Sequence, residues 1–167
     1  MFRKFLQRRR IQKVFENYVS KETLAALLAG KLDPQVGQLK EATVEVVIAT
    51  VRGESPETIK QRMGTLADIA LKHGAVVQNL ISSVVIITFG ALPFAHNPSG
   101  DRFVVAQEFV QALKDDVKVV HCKRDGTFGN VGSPHLLSYS FIIPGFLEML
   151  GVLAAMNFGE TRDVSDI

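Results

Sequence analysis

The sequence contains a single cysteine, Cys122, so no disulfide bond can form within the chain. No signal-peptide pattern opens the sequence, and we therefore expect a reducing, cytoplasmic setting. The cysteine and the four histidines lack the spacing of metal ligands, so we expect no structural metal site and no cofactor. The histidines are His73, His96, His121 and His135.

The sequence also lacks an apolar run of the roughly 18–20 residues that a membrane-spanning helix requires. The best candidate, 141–158, is broken at Pro144 and Gly145 and contains Glu148. We interpret it as the end of a strand followed by a buried or interface helix. Internal repeats and low-complexity tracts are absent as well, and the 167 residues, 47% of them hydrophobic, predict one globular domain with a full core.

Positive charge is concentrated at the amino-terminal end, although the net charge is only +2. Residues 1–13 carry six cations and no acid, while the rest of the chain is mildly acidic. Two interpretations of residues 3–13 stay open: a segment held at the inner face of a membrane, or a coupling helix that pairs with its twin in a dimer. Nucleic-acid binding is disfavoured because the basic stretch is short. The six cations are Arg3, Lys4, Arg8, Arg9, Arg10 and Lys13.

Three regions follow from the pattern of charge, apolar residues and chain breakers. Residues 1–30 are predicted to form a basic amphipathic helical lead-in, with a second helix over 21–28. Residues 31–41 are polar, contain Pro34 and Gly37, and are expected to be a linker. Residues 42–167 are predicted to form an α+β domain.

Within this domain the pattern predicts strand, helix, strand, strand, helix, strand. The β-branched stretch 42–51 predicts a central strand. Ser55 and Pro56 are typical of a helix start, and the helix is expected to end at Gly74. Two apolar runs separated by Ser82 and Ser83 predict a hairpin, 75–81 and 84–89, and a second helix is expected over 103–113. Further strands are predicted at 117–122 and 139–143, joined by a glycine-rich loop. This βαββαβ order is that of ferredoxin-like folds.

Four short motifs occur in an order that resembles class III nucleotidyl cyclase domains, over residues 8–147. Residues 8–20 resemble the helical lead-in of membrane-linked bacterial members, and 46–53 resemble the family's first strand, V-L-F-A-D-I-R-G-F. The segment 89–93 is similar to the end of the family hairpin. Gly129-Asn130-Val131-Gly132-Ser133, followed by Tyr139, is similar to the G-N-V-G-S turn and its tyrosine strand.

The resemblance implies a catalytic apparatus whose residues are replaced in this chain. In the family two aspartates bind the catalytic metals, and they correspond here to Thr50 and to Ser83 in the Ser82-Ser83 pair. The positions that recognise the base correspond to Asn79 and Ser140. The asparagine and arginine that stabilise the transition state correspond to Leu147 and Gly151. Neutral side chains cannot replace carboxylates as ligands of Mg²⁺, and we expect no cyclase activity.

Other residues that could take part in chemistry have simpler interpretations. Thr50, Ser82 and Ser83 are expected to fill space in a strand and a turn. The glycine-rich loop 126–132, with Gly129, Asn130 and Gly132, could hold a nucleotide phosphate through its backbone amides, although a plain connection between strands is favoured because no P-loop lysine follows. His121 and Cys122 alternate along a strand, so one should face the core and the pair should not form a nucleophilic site.

The last helix is apolar on nearly every side, which favours a partner surface. The resemblance implies a homodimer, with Phe146, Leu150 and Leu153 as candidate interface residues. It also implies a further strand pair beyond that helix, where only the polar 157–167 remain; a natural truncation and a boundary within a longer protein both stay open. Two functions therefore remain: a non-catalytic domain that dimerises and regulates a signalling partner, or a nucleotide-binding sensor without turnover.

Overall fold

The computed structural model describes residues 39–90, 101–133 and 136–167, together with Ala25 and Ala29. Arg8, Arg9 and Arg10, and with them nearly all of the predicted lead-in, lie outside the described residues. Ala25 is helical, and the N–H of Ala29 donates a hydrogen bond to its carbonyl at 3.0 Å, within and just after the second helix expected there.

The described chain forms a six-stranded sheet with three α-helices. Strands β2, β3, β1, β4 and β5 lie side by side in that order as antiparallel neighbours, and β6 runs parallel to β4. The order from β1 to β4 is the predicted βαββαβ order, and its strand arrangement confirms the ferredoxin-like prediction. The elements are β1 (Leu39–Val51), α1 (Pro56–Lys72), β2 (Val76–Ile81), β3 (Val84–Phe89), α2 (Arg102–Leu113), β4 (Val117–Ser133), β5 (Leu136–Ile142), α3 (Phe146–Ala155) and β6 (Thr161–Asp163).

Local sequence signals explain where α1 begins and which side it buries. The Ser55 hydroxyl accepts a hydrogen bond from the Thr58 N–H at 3.2 Å, and Pro56 occupies the first turn. Gly74, with φ of 73°, lies just beyond the end of the helix. The buried face of the helix carries Met63, Leu66 and Ala70.

Both faces of the central sheet are covered, so β1 is buried without alternation from Val44 to Ala49. One core lies between the sheet and helices α1 and α2, and includes Val47, Leu66 and Phe109. The other lies between the sheet and α3, and includes Val46 and Met149.

This two-sided burial corrects one expectation. His121 and Cys122 alternate on β4, and both are buried, the histidine 3% exposed and the cysteine 0%. The prediction that one of them would face away from the core is wrong, because α2 covers one side of the strand and α3 packs over the other.

The bounds of β1 and β4 are among those that differ from the sequence prediction. β1 begins at Leu39, so the last three residues of the expected linker belong to a strand. β4 continues to Ser133, so the expected glycine-rich loop is a strand as well. A Cβ on Gly126 would lie 2.6 Å from Ile143 Cγ2 and 2.7 Å from the Ile142 carbonyl oxygen. Glycine at this position therefore permits the backbone of β4 to approach that of Ile142 and Ile143 closely. It marks a close contact between neighbouring strands instead of a turn.

No helix in the described parts of the chain combines the length and apolarity needed to span a bilayer.

Candidate functional site

The structure brings together Thr50 and the Ser82–Ser83 turn, the two positions that the family resemblance matches to metal-binding carboxylates. Thr50 lies at the end of β1 and pairs with Val84, the first residue of β3. The hairpin turn Ser82–Ser83 directly precedes β3, and the Val51 N–H donates a hydrogen bond to the Ser83 carbonyl oxygen at 2.9 Å. Ser82 adopts a left-handed φ of 57°, as a tight turn requires. A threonine and a serine hydroxyl thus occupy this end of the sheet.

A carboxylate at this end, that of Asp116, is already engaged by arginines. Its Oδ1 accepts a hydrogen bond from Arg52 Nε at 3.1 Å, and its Oδ2 accepts one from Arg62 Nη2 at 2.6 Å. The Arg52 N–H also donates to the Asp116 carbonyl oxygen at 3.0 Å. These contacts join the end of β1 to α1 and to the start of β4. They leave the Asp116 carboxylate poorly suited to hold a metal ion.

The neighbour of Thr50 on the opposite strand is a nearly buried lysine. Lys118 pairs with Thr50 across the β1–β4 ladder and is 9% exposed. Its ammonium donates hydrogen bonds to the carbonyl oxygens of Ala154 at 3.0 Å and Met156 at 3.2 Å, at the end of α3. The Phe158 ring lies 5.2 Å from the same ammonium. Lys118 therefore fastens the carboxyl-terminal end of α3 to the sheet, where its charge also suits the helix dipole.

The other positions that the family resemblance matches to catalytic residues do not lie around Thr50 and Ser83 within one chain. Leu147 is 77% exposed, and Gly151 is exposed on the same helix, whereas the buried face of α3 carries Met149. Ser140 lies on β5, paired with Gly129. Asn79 lies on β2, paired with Ile86 just beyond an irregularity in the ladder, and its side chain falls outside the description.

The expected phosphate-binding loop has a different structure. Gly129, Asn130 and Gly132 lie on β4 and pair with Ser140, Tyr139 and Leu137 of β5. An anion-binding loop turns successive backbone amides toward one point, and an extended ladder does not. The prediction of a loop here is wrong, because pairing with β5 keeps these glycines in extended strand.

The three candidate interface residues divide into core and partly buried positions. Leu153 is 3% exposed and belongs to the core between α3 and the sheet, so it is unsuited to a subunit contact. Phe146 and Leu150 are partly buried against the same core, and the Phe146 ring meets Phe141 edge-on at 6.0 Å. The exposed apolar residue of this helix is Leu147, which the sequence pattern does not distinguish from its neighbours.

A groove of about 670 Å³ lies elsewhere on the sheet and contains none of these candidates. The Thr43 hydroxyl donates a hydrogen bond to Asp125 at 2.6 Å within it. No cluster of three or more histidine, cysteine, aspartate or glutamate side chains suited to a metal ion occurs among the described residues. The groove is lined by Glu41, Ala42, Thr43, Asp125, Gly126, Thr127, Ile142, Ile143 and Pro144.

Solved structures of nucleotidyl cyclases are similar to this fold. The adenylyl cyclase CyaB from P. aeruginosa aligns over 75% of this chain and 78% of its own, with 16% identity and a TM-score of 0.57. A bacterial light-regulated adenylyl cyclase aligns over 92% of this chain and 51% of its own, with 12% identity and a TM-score of 0.69. A dimeric guanylyl cyclase domain from the fungus Blastocladiella emersonii aligns over 74% and 80%, with 12% identity and a TM-score of 0.59.

The chain matches no protein-family model and no curated protein. The structural similarities show that it has the fold of adenylyl and guanylyl cyclase catalytic domains. At these identities they show the fold alone.

Proposed function

We propose that this chain is a non-catalytic member of the class III cyclase family, which acts by pairing with a second copy of itself and regulating a signalling partner. The observation that carries the proposal is the position of Thr50, which pairs with Val84 directly after the Ser82–Ser83 turn, while the next residue, Val51, donates a hydrogen bond to the Ser83 carbonyl oxygen. The two positions are adjacent, as a shared metal site would require, yet neither supplies a carboxylate.

Rescue by a nearby acid is the main alternative to loss of catalysis. Asp116 accepts hydrogen bonds from both Arg52 and Arg62, so freeing it for a metal would break two charge-assisted bonds. Nucleotidyl transfer depends on positioning and charge stabilisation, and a site without metal ligands loses both. We therefore expect no cyclic nucleotide from ATP or GTP with Mn²⁺. Turnover by the purified protein would refute the proposal.

Manganese binding by designed variants tests whether the two positions are correctly identified. Thr50→Asp with Ser83→Asp places two carboxylates at the end of β1 and in the turn. We expect calorimetry to detect Mn²⁺ binding by this double variant and none by the wild type. The matched control is Thr50→Asn with Ser83→Asn, which has nearly the same shape without charge. Equal behaviour of the two variants would mean that these positions do not form a metal site.

Association through α3 is the part of the proposal that concerns a partner. A leucine exposed to 77% on a helix that is otherwise anchored by a buried face is the kind of residue found at interfaces. The solved guanylyl cyclase domain from B. emersonii is described as a non-canonical dimer. We expect sedimentation to show a dimer that Leu147→Asp weakens at least tenfold. Leu71→Asp on α1, where the leucine is 38% exposed, should leave association unchanged.

Nucleotide binding without turnover is the competing function. Titration with ATP and GTP, each with and without Mn²⁺, separates the two. We expect no saturable heat up to millimolar nucleotide. Saturation at micromolar concentration would replace the regulatory proposal with a sensor.

A further inference from the structure

A polar cluster lies where β1, α2, β4 and β6 meet, far along the sheet from the Ser82–Ser83 turn; its member on β6, Asp163, is exposed, and the other members are buried or nearly so. It consists of Glu45, Arg102, His121 and Asp163, and we call it the junction cluster. Glu45 is 6% exposed and His121 is 3% exposed, while the side chain of Arg102 is 11% exposed. Charged groups this deep in a protein require partners.

The Arg102 guanidinium joins three elements of the fold. Its Nη1 lies 3.6 Å from Glu45 Oε1 on β1, and its Nη2 donates a hydrogen bond to Asp163 Oδ2 on β6 at 3.0 Å. The other carboxylate oxygen of Asp163 accepts hydrogen bonds from the Ser165 N–H at 3.0 Å and hydroxyl at 2.6 Å. The Lys123 N–H then donates to the Ser165 hydroxyl at 3.1 Å. Through this chain of contacts the cluster helps hold residues 161–165 against β4.

Two members of the cluster, His121 and Arg102, are not fully satisfied. The Nδ1 of His121 is buried without a hydrogen-bond partner, and so is Arg102 Nε. The imidazole meets the Phe103 ring edge-on, with the centroids 4.9 Å apart. A neutral imidazole tolerates this apolar contact, whereas a protonated one would carry a buried N–H donor with no acceptor.

Burial disfavours a positive charge on His121, whereas the charged groups around it act in opposite directions. Arg102 faces it from α2 and Asp163 from β6, and Glu45 and Lys123 lie one residue pair further along the same face. Burial lowers the pKa of His121 below its ordinary value of 6.5; Asp163 partly offsets this and Arg102 adds to it. Burial opposes ionisation of Asp163, but hydrogen bonds from Ser165 and Arg102 outweigh it and lower its pKa below 3.8. Asp163 therefore stays charged while His121 titrates.

We propose that the junction cluster is an acid-sensitive latch, in which protonation of His121 releases residues 161–165 from β4. The imidazolium would lack an acceptor at Nδ1 and would compete with Arg102 for Asp163. Once the segment opens, His121 regains water and can hold its proton. The closed state should therefore lose stability as the pH falls below 6.5, the ordinary value for an exposed histidine. The opening constant should rise by up to about tenfold per pH unit.

Amide hydrogen exchange of the wild-type protein between pH 8 and 5 tests the latch. After correction for the intrinsic pH dependence of exchange, the opening constant of residues 161–165 should be flat above pH 6.5 and rise below it. His121→Phe retains an aromatic ring against Phe103 and removes the titration, so its profile should be flat throughout. His73→Gln, a substitution at a histidine paired with Glu108 on the helices, should retain the wild-type profile.

A second measurement does not depend on the folding of any variant. The imidazole carbon-bound protons of wild-type His121, followed by NMR, should titrate below pH 6.5, and the opening constant of residues 161–165 should rise between pH 6.5 and that titration and level off below it. A flat exchange profile in the wild type, or titration of His121 at or above pH 6.5, would overturn the proposal. An acid-dependent profile that persists in His121→Phe would do the same.

Discussion

The role of Lys118 as the anchor of α3 can be tested by replacing it with methionine. Methionine retains most of the side-chain length and its apolar stem, but it has no donor for the carbonyl oxygens of Ala154 and Met156. Among the described residues, Lys118 is the only cation hydrogen-bonded to the carboxyl-terminal end of α3, and the substitution removes it. The substitution therefore isolates the ammonium contacts from packing.

The expected loss follows from the two hydrogen bonds and their burial. Hydrogen bonds to a charged group contribute about 1.5–3 kcal/mol each, and part of that returns because the ammonium no longer needs to be desolvated. We expect Lys118→Met to lower the free energy of unfolding by about 2–4 kcal/mol. For a domain of this size, that corresponds to a fall in Tm of roughly 5–15 °C.

Urea unfolding, monitored by circular dichroism, measures this difference. Lys123→Met is the matched control on the same strand, because its side chain is 53% exposed and its ammonium lies 3.9 Å from Glu45. An ammonium this exposed, at this distance from its partner, contributes at most about 1 kcal/mol. Hydrogen exchange should show that Lys118→Met loosens α3 before the rest of the domain. Equal stability of the two variants would refute the anchoring role.

Two further predictions concern the backbone. Lys114 has φ of 49° and ψ of −123° between α2 and β4, a conformation that glycine adopts without strain, so Lys114→Gly should raise the free energy of unfolding by about 1 kcal/mol in urea titrations. A destabilised variant would contradict this. Gly126→Ala should destabilise by about 2 kcal/mol or more, because its Cβ would collide with Ile143 and the Ile142 carbonyl. Gly64→Ala, on α1 with no atom within 4 Å, should instead stabilise by up to about 1 kcal/mol. Thermal melts that ranked the two alanine variants the other way would contradict the structure.

The parts of the fold that depend on local signals could be predicted from the sequence. Ser55 and Pro56 fix the start of α1 through a cap and a preset φ angle, both within one turn. The turn Ser82–Ser83 interrupts two apolar runs of strand length, so the β2–β3 hairpin follows directly. The adjacency of Thr50 and this turn could be predicted from the family resemblance alone.

The parts of the fold that depend on tertiary contact could not be predicted from the sequence. The glycines of β4 predict a loop, and only the register with β5 and the crossing at Gly126 show why they are extended. The sequence does not distinguish Lys118 from other strand residues, because its role depends on the contact with α3. His121 and Cys122 are both buried because two layers of helix cover the sheet, which the alternation of a single strand does not reveal.

The long pairing of β1 with β4 has a consequence for how the chain acquires its structure. The two strands at the centre of the sheet are separated in sequence by α1, β2, β3 and α2, whereas β2 and β3 are joined by two residues. Closing the longer segment costs more chain entropy, so the central ladder should form late, after the hairpin and the helices. Neither core can close until it does, since both pack on β1. Folding should accordingly be slow for the length of the chain, and substitutions in the hairpin turn, which forms before the ladder, should alter the folding rate at least as much as those in the β1–β4 ladder.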